Sequence, residues 1–224
     1  MFNLVFKTLA RDRKIKLKIY PMIGYFAIFG FIFIFREQHS LDSIRETLTI
    51  NKYHLGFLYM PIMILQVALH EIPYSDDFKA SWVYFSAPIG TPGELLSGMI
   101  KAIFARLFVV VYAVITVIVV IVMGPSSIAD IIVAAINNYL MFLILARIEK
   151  HKLPLSLAHE VRGQSGNITR GIIALLMLGA VTAIHYVLLS FLPALIFALV
   201  PVQLVVCYFL HQEYKSITWD DITL

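Results

Sequence analysis

The sequence predicts an all-α, polytopic membrane protein with six transmembrane helices. Both termini are expected on the cytosolic side (N-in/C-in), with a cytosolic helix–elbow–helix between spans two and three. Three observations carry that prediction. Of 224 residues, 60% are hydrophobic and 14% charged, whereas soluble domains sit near half apolar and a quarter charged. The apolar residues come in blocks of about fifteen or more, lengths that a bilayer requires and a soluble core does not. The basic residues gather beside alternate blocks, as the positive-inside rule expects.

The whole chain, 1–224, reads as a single transmembrane domain without a soluble domain, linker, low-complexity tract or internal repeat. Net charge is +4 and the pI is near 9.1, but the basic residues flank apolar runs, so membrane lipid and not nucleic acid is the expected partner. Cys207 is the only cysteine and lies in an apolar run, which excludes an intrachain disulfide and gives no cysteine metal cluster.

The opening, 1–18, holds six Lys and Arg and spaces Phe2, Val5, Phe6 and Leu9 at helical intervals. It predicts a basic interfacial helix, apolar face toward lipid and basic face toward anionic headgroups. A disordered basic leader is the alternative. No small-residue cleavage site follows, so signal-anchor behaviour is expected. Span one is Ile19–Phe35, with Pro21 in its first turn. The polar segment Arg36–Lys52 contains Ser43-x-x-Glu46, the spacing of a capped surface helix. Span two, Tyr53–Leu69, is the least hydrophobic. It contains Gln66 and Pro61, a predicted kink, and ends at His70 and Glu71.

Span three, Leu107–Met123, is the most apolar. Gly124-Pro125-Ser126-Ser127 reads as a tight turn into span four, Ile128–Leu145. A polar loop, Arg147–Arg170, includes Lys150, Lys152 and Arg162. Span five is Gly171–Leu189, Ser190–Pro193 turns, span six is Ala194–Leu210, and a polar tail closes the chain. With the N-terminus inside, the cytosolic pieces hold 15 of the 18 Lys and Arg, and Arg36–Lys52 holds the others. Omitting span two would place the Arg147–Arg170 loop outside and spoil this bias, so charge supports that span better than hydropathy does.

The stretch 74–106, YSDDFKASWVYFSAPIGTPGELLSGMIKAIFAR, is neither purely apolar nor a simple loop. Phe78, Trp82 and Phe85 fall at i, i+4 and i+7, the apolar stripe of a short amphipathic helix. Asp76 and Asp77 stand at its start, where the helix dipole favours negative charge. Ala87-Pro88-Ile89-Gly90 breaks it. Thr91-Pro92-Gly93-Glu94 then offers an N-cap threonine, a proline at the first helical position and a glutamate three residues after the cap. From Pro92 the helix need not stop before Met123, a run of about 48 Å at 1.5 Å per residue, against roughly 30 Å of hydrocarbon. Its first turns are therefore expected to protrude, with Lys101 and Arg106 near the headgroups, and a push on the elbow would move span three as a rigid body. The plainer alternative is an interfacial helix that anchors span three.

The acidic start, the aromatic helix, the Pro-Ile elbow and the run E-L-L-x-G-x-x-K resemble the coupling region of type-2 ATP-binding cassette exporter permeases. The matching residues are Asp76, Asp77, Trp82, Tyr84, Pro88, Ile89, Glu94, Leu95, Leu96, Gly98 and Lys101, and the stretches that carry the resemblance span only about a fifth of the chain. Lys152-Leu-Pro-Leu-Ser156 is similar to a stretch in a bacterial subgroup of these permeases. The resemblance implies an ATPase-coupling surface at Trp82, Tyr84, Phe85, Pro88, Ile89 and Glu94, docked in a groove of a separate ATP-binding cassette ATPase subunit. It also implies two permease units, as a homodimer or heterodimer, and a multi-pass location in a bacterial-type inner membrane. Longer members carry further sequence before the basic opening, so this chain would correspond to a half-length form. No G-x-x-x-x-G-K-[ST] phosphate loop occurs, so ATP would be handled by the partner and no cofactor is expected here.

Polar residues inside spans carry a functional reading because burying them in lipid is costly. Asn137 and Asn138 in span four, His185 in span five and Gln203 in span six are candidates for a translocation path; Gln66 sits in span two. The competing reading is helix-to-helix hydrogen bonds of about 1 kcal/mol each. Pro61 and Pro201 could kink their spans for gating. His70-Glu71 and His159-Glu160 lack the second histidine of H-E-x-x-H, and for Glu149 with His151, or His159 with Arg162, a solvated, headgroup-facing role in a basic loop suffices, so no enzyme is expected. The expected function is therefore a transmembrane permease subunit of an ATP-driven exporter. The alternative is a non-transporting assembly, immunity or regulatory subunit. The cargo is not legible.

Overall fold

A computed structural model describes residues 1–35, 41–149, 151–159 and 165–223. Arg36, Lys150, Glu160 and Arg162, named above, lie outside those residues. All regular structure among the described residues is helical, apart from two isolated bridges that pair Tyr74 with Leu157 and His151 with Ile222.

The basic opening forms two helices rather than one. Phe2–Arg11 (α1) ends where Asp12 turns extended and its N–H returns to the Thr8 carbonyl. The Asp12 carboxylate then accepts the N–H groups of Lys14 (2.7 Å) and Ile15 (3.2 Å), capping Arg13–Phe35 (α2). Pro21 consequently sits inside α2, two turns past its start, and not at the first turn of a span. Leu41–Asn51 (α3) begins ahead of Ser43, so the Ser43-x-x-Glu46 spacing falls within the helix and does not mark its start.

His54–Tyr59 (α4) and Pro61–Glu71 (α5) form one helical run, His54–Glu71, bent by 74° from the 43–51 helix. Pro61 stands at the first position of α5, where its missing N–H interrupts the ladder at Met60 while the backbone stays helical. The run is also the centre of the bundle. Leu58, Tyr59, Ile62, Leu65 and Ala68 are fully inaccessible, and Gln66 is nearly so. Its low hydropathy follows from this position, since its side chains face protein on every side and need not suit lipid.

Val83–Ser86 (α6) is a single turn. Pro92–Ile103 (α7), a π-helical turn at Phe104–Phe108 and Val109–Met123 (α8) make one continuous helix, Pro92–Met123, as the sequence predicts. The π turn lies where the buried first part gives way to an outward-facing second part. Leu96, Ile100, Ala102 and Ile103 are fully buried, whereas Val110, Val114, Val117 and Ile121 are more than half exposed. Phe104, Phe108 and Tyr112 stack in succession through the bulge at 4.3 and 4.6 Å.

Gly124, at φ +81°, reverses the chain into Ile128–Ile148 (α9). Ser165–Phe191 (α10) and Pro193–Lys215 (α11) complete the bundle. Pro201 lies inside α11 without ending it. Four helices among the described residues are long and apolar enough to cross a membrane: Pro92–Met123, Pro125–Ile148, Thr169–Phe191 and Pro193–Lys215. The bent pair formed by 43–51 and 54–71 makes up to five. These dimensions and compositions mark an integral membrane protein. The 169–191 and 193–215 helices bury only 11% and 12% of their most apolar windows, so their surfaces suit lipid or another apolar partner.

The opening helix α1 lies against α7, burying Val5 and Leu9 completely or nearly so, with Arg106 over the Phe6 ring at 5.0 Å. Val5 and Leu9 of the predicted apolar stripe thus face the protein while Phe2 stays exposed, and α1 and the chain end pack on the first turns of the Pro92 helix.

Candidate functional site

Two regions gather the candidate residues, one at each end of the Pro92–Met123 helix. At the elbow end, residues 78–86 are not one amphipathic helix. Phe78–Trp82 is a 3₁₀ segment and α6 adds one turn. The change of pitch alters which side chains face inward. Tyr84, outside the predicted stripe, is buried and donates its hydroxyl to the Pro154 carbonyl at 3.0 Å. Burial pushes the Tyr84 phenol pKa up. Trp82 and Phe85, within the stripe, point outward at 66% and 53% exposure beside Val83 at 47%. Pro88 and Glu94 are exposed, and Ile89 is half-buried.

Thr91 is the N-cap of α7 and Pro92 its first residue, as predicted, but the Thr91 side chain forms no capping bond. The helix start is held by the chain end. Gly93 N–H donates to the Ile217 carbonyl at 3.2 Å, the Trp219 indole N–H to the Ile89 carbonyl at 3.4 Å, and the Trp219 ring lies 5.5 Å from that of Phe85. Trp219–Asp221 is a 3₁₀ turn with a complete Thr218–Asp221 capping box. That T-W-D-D spacing is a capping signal legible in the sequence itself. The Thr218 N–H and hydroxyl hold the Asp221 carboxylate below the usual range. Asp76 does not cap the 3₁₀ segment but pairs with Lys14 at 2.6 Å, which lowers its pKa.

The Lys152–Ser156 loop is strapped along the base of α5. Leu155 N–H donates to Ile72 O, Leu157 N–H to Pro73 O, and Ser75 N–H to Leu157 O, each at 2.9 Å. Leu155 adopts a left-handed φ of +56°, an uncommon conformation for a branched side chain. Lys152 donates to the Tyr74 hydroxyl at 3.0 Å, Arg170 pairs with Glu149 at 3.2 Å, and Lys18 pairs with Glu71. His151 accepts Thr223 N–H at its carbonyl, and its burial lowers the imidazole pKa.

At the far end, α4, α9 and α10 meet through side chains. His54 Nε2 lies 3.1 Å from Asp130 Oδ2, and His185 Nε2 lies 3.7 Å from Asp130 Oδ1. The Tyr59 hydroxyl is 2.8 Å from His185 Nδ1 and accepts from Asn137 Nδ2 at 2.8 Å. All five residues are buried. Asn137 and His185, both predicted, are thereby joined. Asn138 turns away and donates to the Leu58 and Ala134 carbonyls, so the adjacent asparagines do point in different directions. Gln203 joins neither group, and its Oε1 is buried without a hydrogen-bond partner.

Sequence reasoning missed His54, Tyr59 and Asp130. His54 opens α4 and Asp130 lies in the first turn of α9, where a polar residue reads as an ordinary boundary, and Tyr59 closes α4 among apolar neighbours with which its ring blends. Between the two regions, His211 bridges Ser97 (3.0 Å) and Tyr139 (3.1 Å), tying α11 to α7 and α9; Ser97 is fully buried, which suits a helix tie. Compared with family models, curated proteins and solved structures, the chain matches none.

Proposed function

We propose that this chain is the transmembrane permease subunit of an ATP-driven exporter. In this reading it has six spans in the N-in/C-in orientation, sits in a bacterial-type inner membrane, and is worked at its elbow by a separate ATP-binding cassette ATPase. The observation that supports the reading most is an exposed apolar knuckle directly ahead of a continuous helix. Trp82, Val83 and Phe85 stand out from the surface, and six residues after Ser86 the unbroken run Pro92–Met123 begins. Exposed tryptophan is rare without a partner and frequent at interface hot spots.

A coupling element must also be stiff against its own body. The Tyr84–Pro154 and Gly93–Ile217 bonds hold the knuckle from beneath, so a displacement there passes into the long helix instead of being absorbed locally. In a homodimer or heterodimer, α10 and α11 would offer the uncovered apolar faces.

The test is retention in detergent of phosphate-loop ATPases encoded beside this chain. Retention by the unaltered chain, lost with Trp82→Ala and Glu94→Arg at unchanged thermal midpoint, is the expected outcome. Retention of no ATPase, or equal retention by both variants, overturns the proposal.

A further inference from the structure

The basic opening carries more positive charge than the fold uses. Of its six lysines and arginines, Lys14 pairs with Asp76 at 2.6 Å and Lys18 pairs with Glu71. Asp12, the only acid in 1–18, is turned to the Lys14 and Ile15 N–H groups that it caps. Lys7, Arg11, Arg13 and Lys16 pair with no carboxylate among the described residues, and the first three are exposed. Lys7 and Arg11 also stand one turn apart on α1, where like charges repel. The chain therefore gathers four cations within ten residues and supplies them no counter-ion.

Their placement selects the class of anion. Val5 and Leu9 fix α1 against the bundle, which turns Lys7 and Arg11, on the opposite side of the helix, outward. Arg13 heads a face of α2 that continues through Leu17 and Tyr20 at i+4 and i+7, both more than half exposed. Lys16 stands one turn ahead of Tyr20, and further along α2 Ile28 and Ile32 are also more than half exposed. Cation, then tyrosine, then aliphatic side chain is the order met in passing from phosphate headgroups into hydrocarbon. A dissolved polyanion or an acidic protein would satisfy the cations and leave that apolar face in water. A lipid with an anionic headgroup satisfies both.

The opening is also fixed to the long helix. A Cβ at Gly98 would lie 3.0 Å from Met1 Cβ and 3.2 Å from Phe2 N, so α1 and α7 approach closely there. We propose that Lys7, Arg11, Arg13 and Lys16, with Leu17 and Tyr20 beside them, form a binding surface for anionic phospholipid headgroups. Bound lipid neutralises the four cations and holds α1 on the first half of the Pro92–Met123 helix. The surface requires the chain to lie in a bilayer and does not depend on the ATPase reading.

The test is hydrogen exchange of the full chain, without any ATPase, in two kinds of lipid nanodisc. One is phosphatidylcholine alone and the other an equal mixture of phosphatidylcholine and phosphatidylglycerol. Amides of 2–11 should exchange several-fold more slowly in the mixture. Arg11→Gln/Arg13→Gln, at exposed sites without partners, should abolish that slowing. Lys79→Gln/Lys215→Gln, which removes the same charge from exposed sites elsewhere, should keep it. Equal exchange of the unaltered chain in both discs overturns the proposal without recourse to any variant. So does slowing that the arginine variant retains, slowing that both variants lose alike, or slowing that dissolved inorganic phosphate reproduces in phosphatidylcholine alone.

Discussion

The Tyr84 hydroxyl donates to the Pro154 carbonyl at 3.0 Å, joining the elbow to the Lys152–Ser156 loop across 70 residues of chain. The two stretches that carried the family resemblance therefore meet in space. The bond makes a simple contrast between neighbours. Tyr84→Phe strands a buried carbonyl and should cost about 1 kcal/mol, a fall of roughly 2–4 °C in melting midpoint for a chain of this size. Trp82→Ala removes a far larger side chain but from an exposed site, and should stay within about 0.5 kcal/mol of the parent. Thermal melts in detergent decide it, and the opposite ranking would mean that the inward and outward aromatics are reversed.

Gly93 provides a second contrast, because a Cβ there would lie 2.1 Å from the Lys215 carbonyl oxygen and 2.9 Å from Ile217 N. Both obstacles are backbone, so neither can swing aside. Gly93→Ala should destabilise by about 1–3 kcal/mol and free the 216–223 segment to protease. Gly56→Ala, in a helix with open space around it, should be neutral or stabilise by about 0.5–1 kcal/mol. Equal sensitivity of the two positions would show that the chain end does not pack on the elbow.

The parts of this architecture that the sequence revealed are those set by local chemistry. The Thr91-Pro92 start and the uninterrupted apolar run to Met123 depend on turn chemistry and propensity, and the helix begins and ends there. The orientation of side chains around each helix was less legible. The stripe Phe78, Trp82, Phe85 assumed a 3.6-residue period, and the 3₁₀ pitch over 78–82 buried Tyr84 instead. In the opening, Val5 and Leu9 fit a lipid surface and the α7 surface equally well, because both are apolar. The far-end cluster brings together positions 54, 59, 130, 137 and 185, a long-range pairing that no local pattern encodes. Hydropathy is no guide there, since the helix with the weakest signal is the bundle's centre.

The tail should respond to acid through His151. Burial holds its imidazole below the ordinary value near 6.5, so the folded chain resists a proton that the unfolded chain accepts. The contribution is therefore present above about pH 6.5 and is lost as pH falls through the depressed folded value. Because His151 carries the carbonyl that receives Thr223 N–H, hydrogen exchange at Thr223 should quicken between pH 7 and pH 5 once intrinsic rates are divided out. His151→Gln should flatten that response. A local amide is the right readout, since it reports on the bond that His151 itself carries.

The membrane reading itself predicts an inversion of the usual rule for surface substitutions. Val114 is 58% exposed on α8, and in water a lysine at such a site would be nearly neutral. In hydrocarbon the same change costs about 2.5–3.5 kcal/mol at a span's centre, enough to shift a translocon partition by roughly a hundredfold. Val114→Lys should therefore depress insertion of the 92–123 segment in a glycosylation-reporter assay. Lys101→Val, at an exposed site in the first half of the same helix, should leave insertion unchanged or improve it. If Val114→Lys inserts as well as the parent, the 109–123 surface does not face lipid, and the exposed valines and isoleucines of α8 must be covered by another protein.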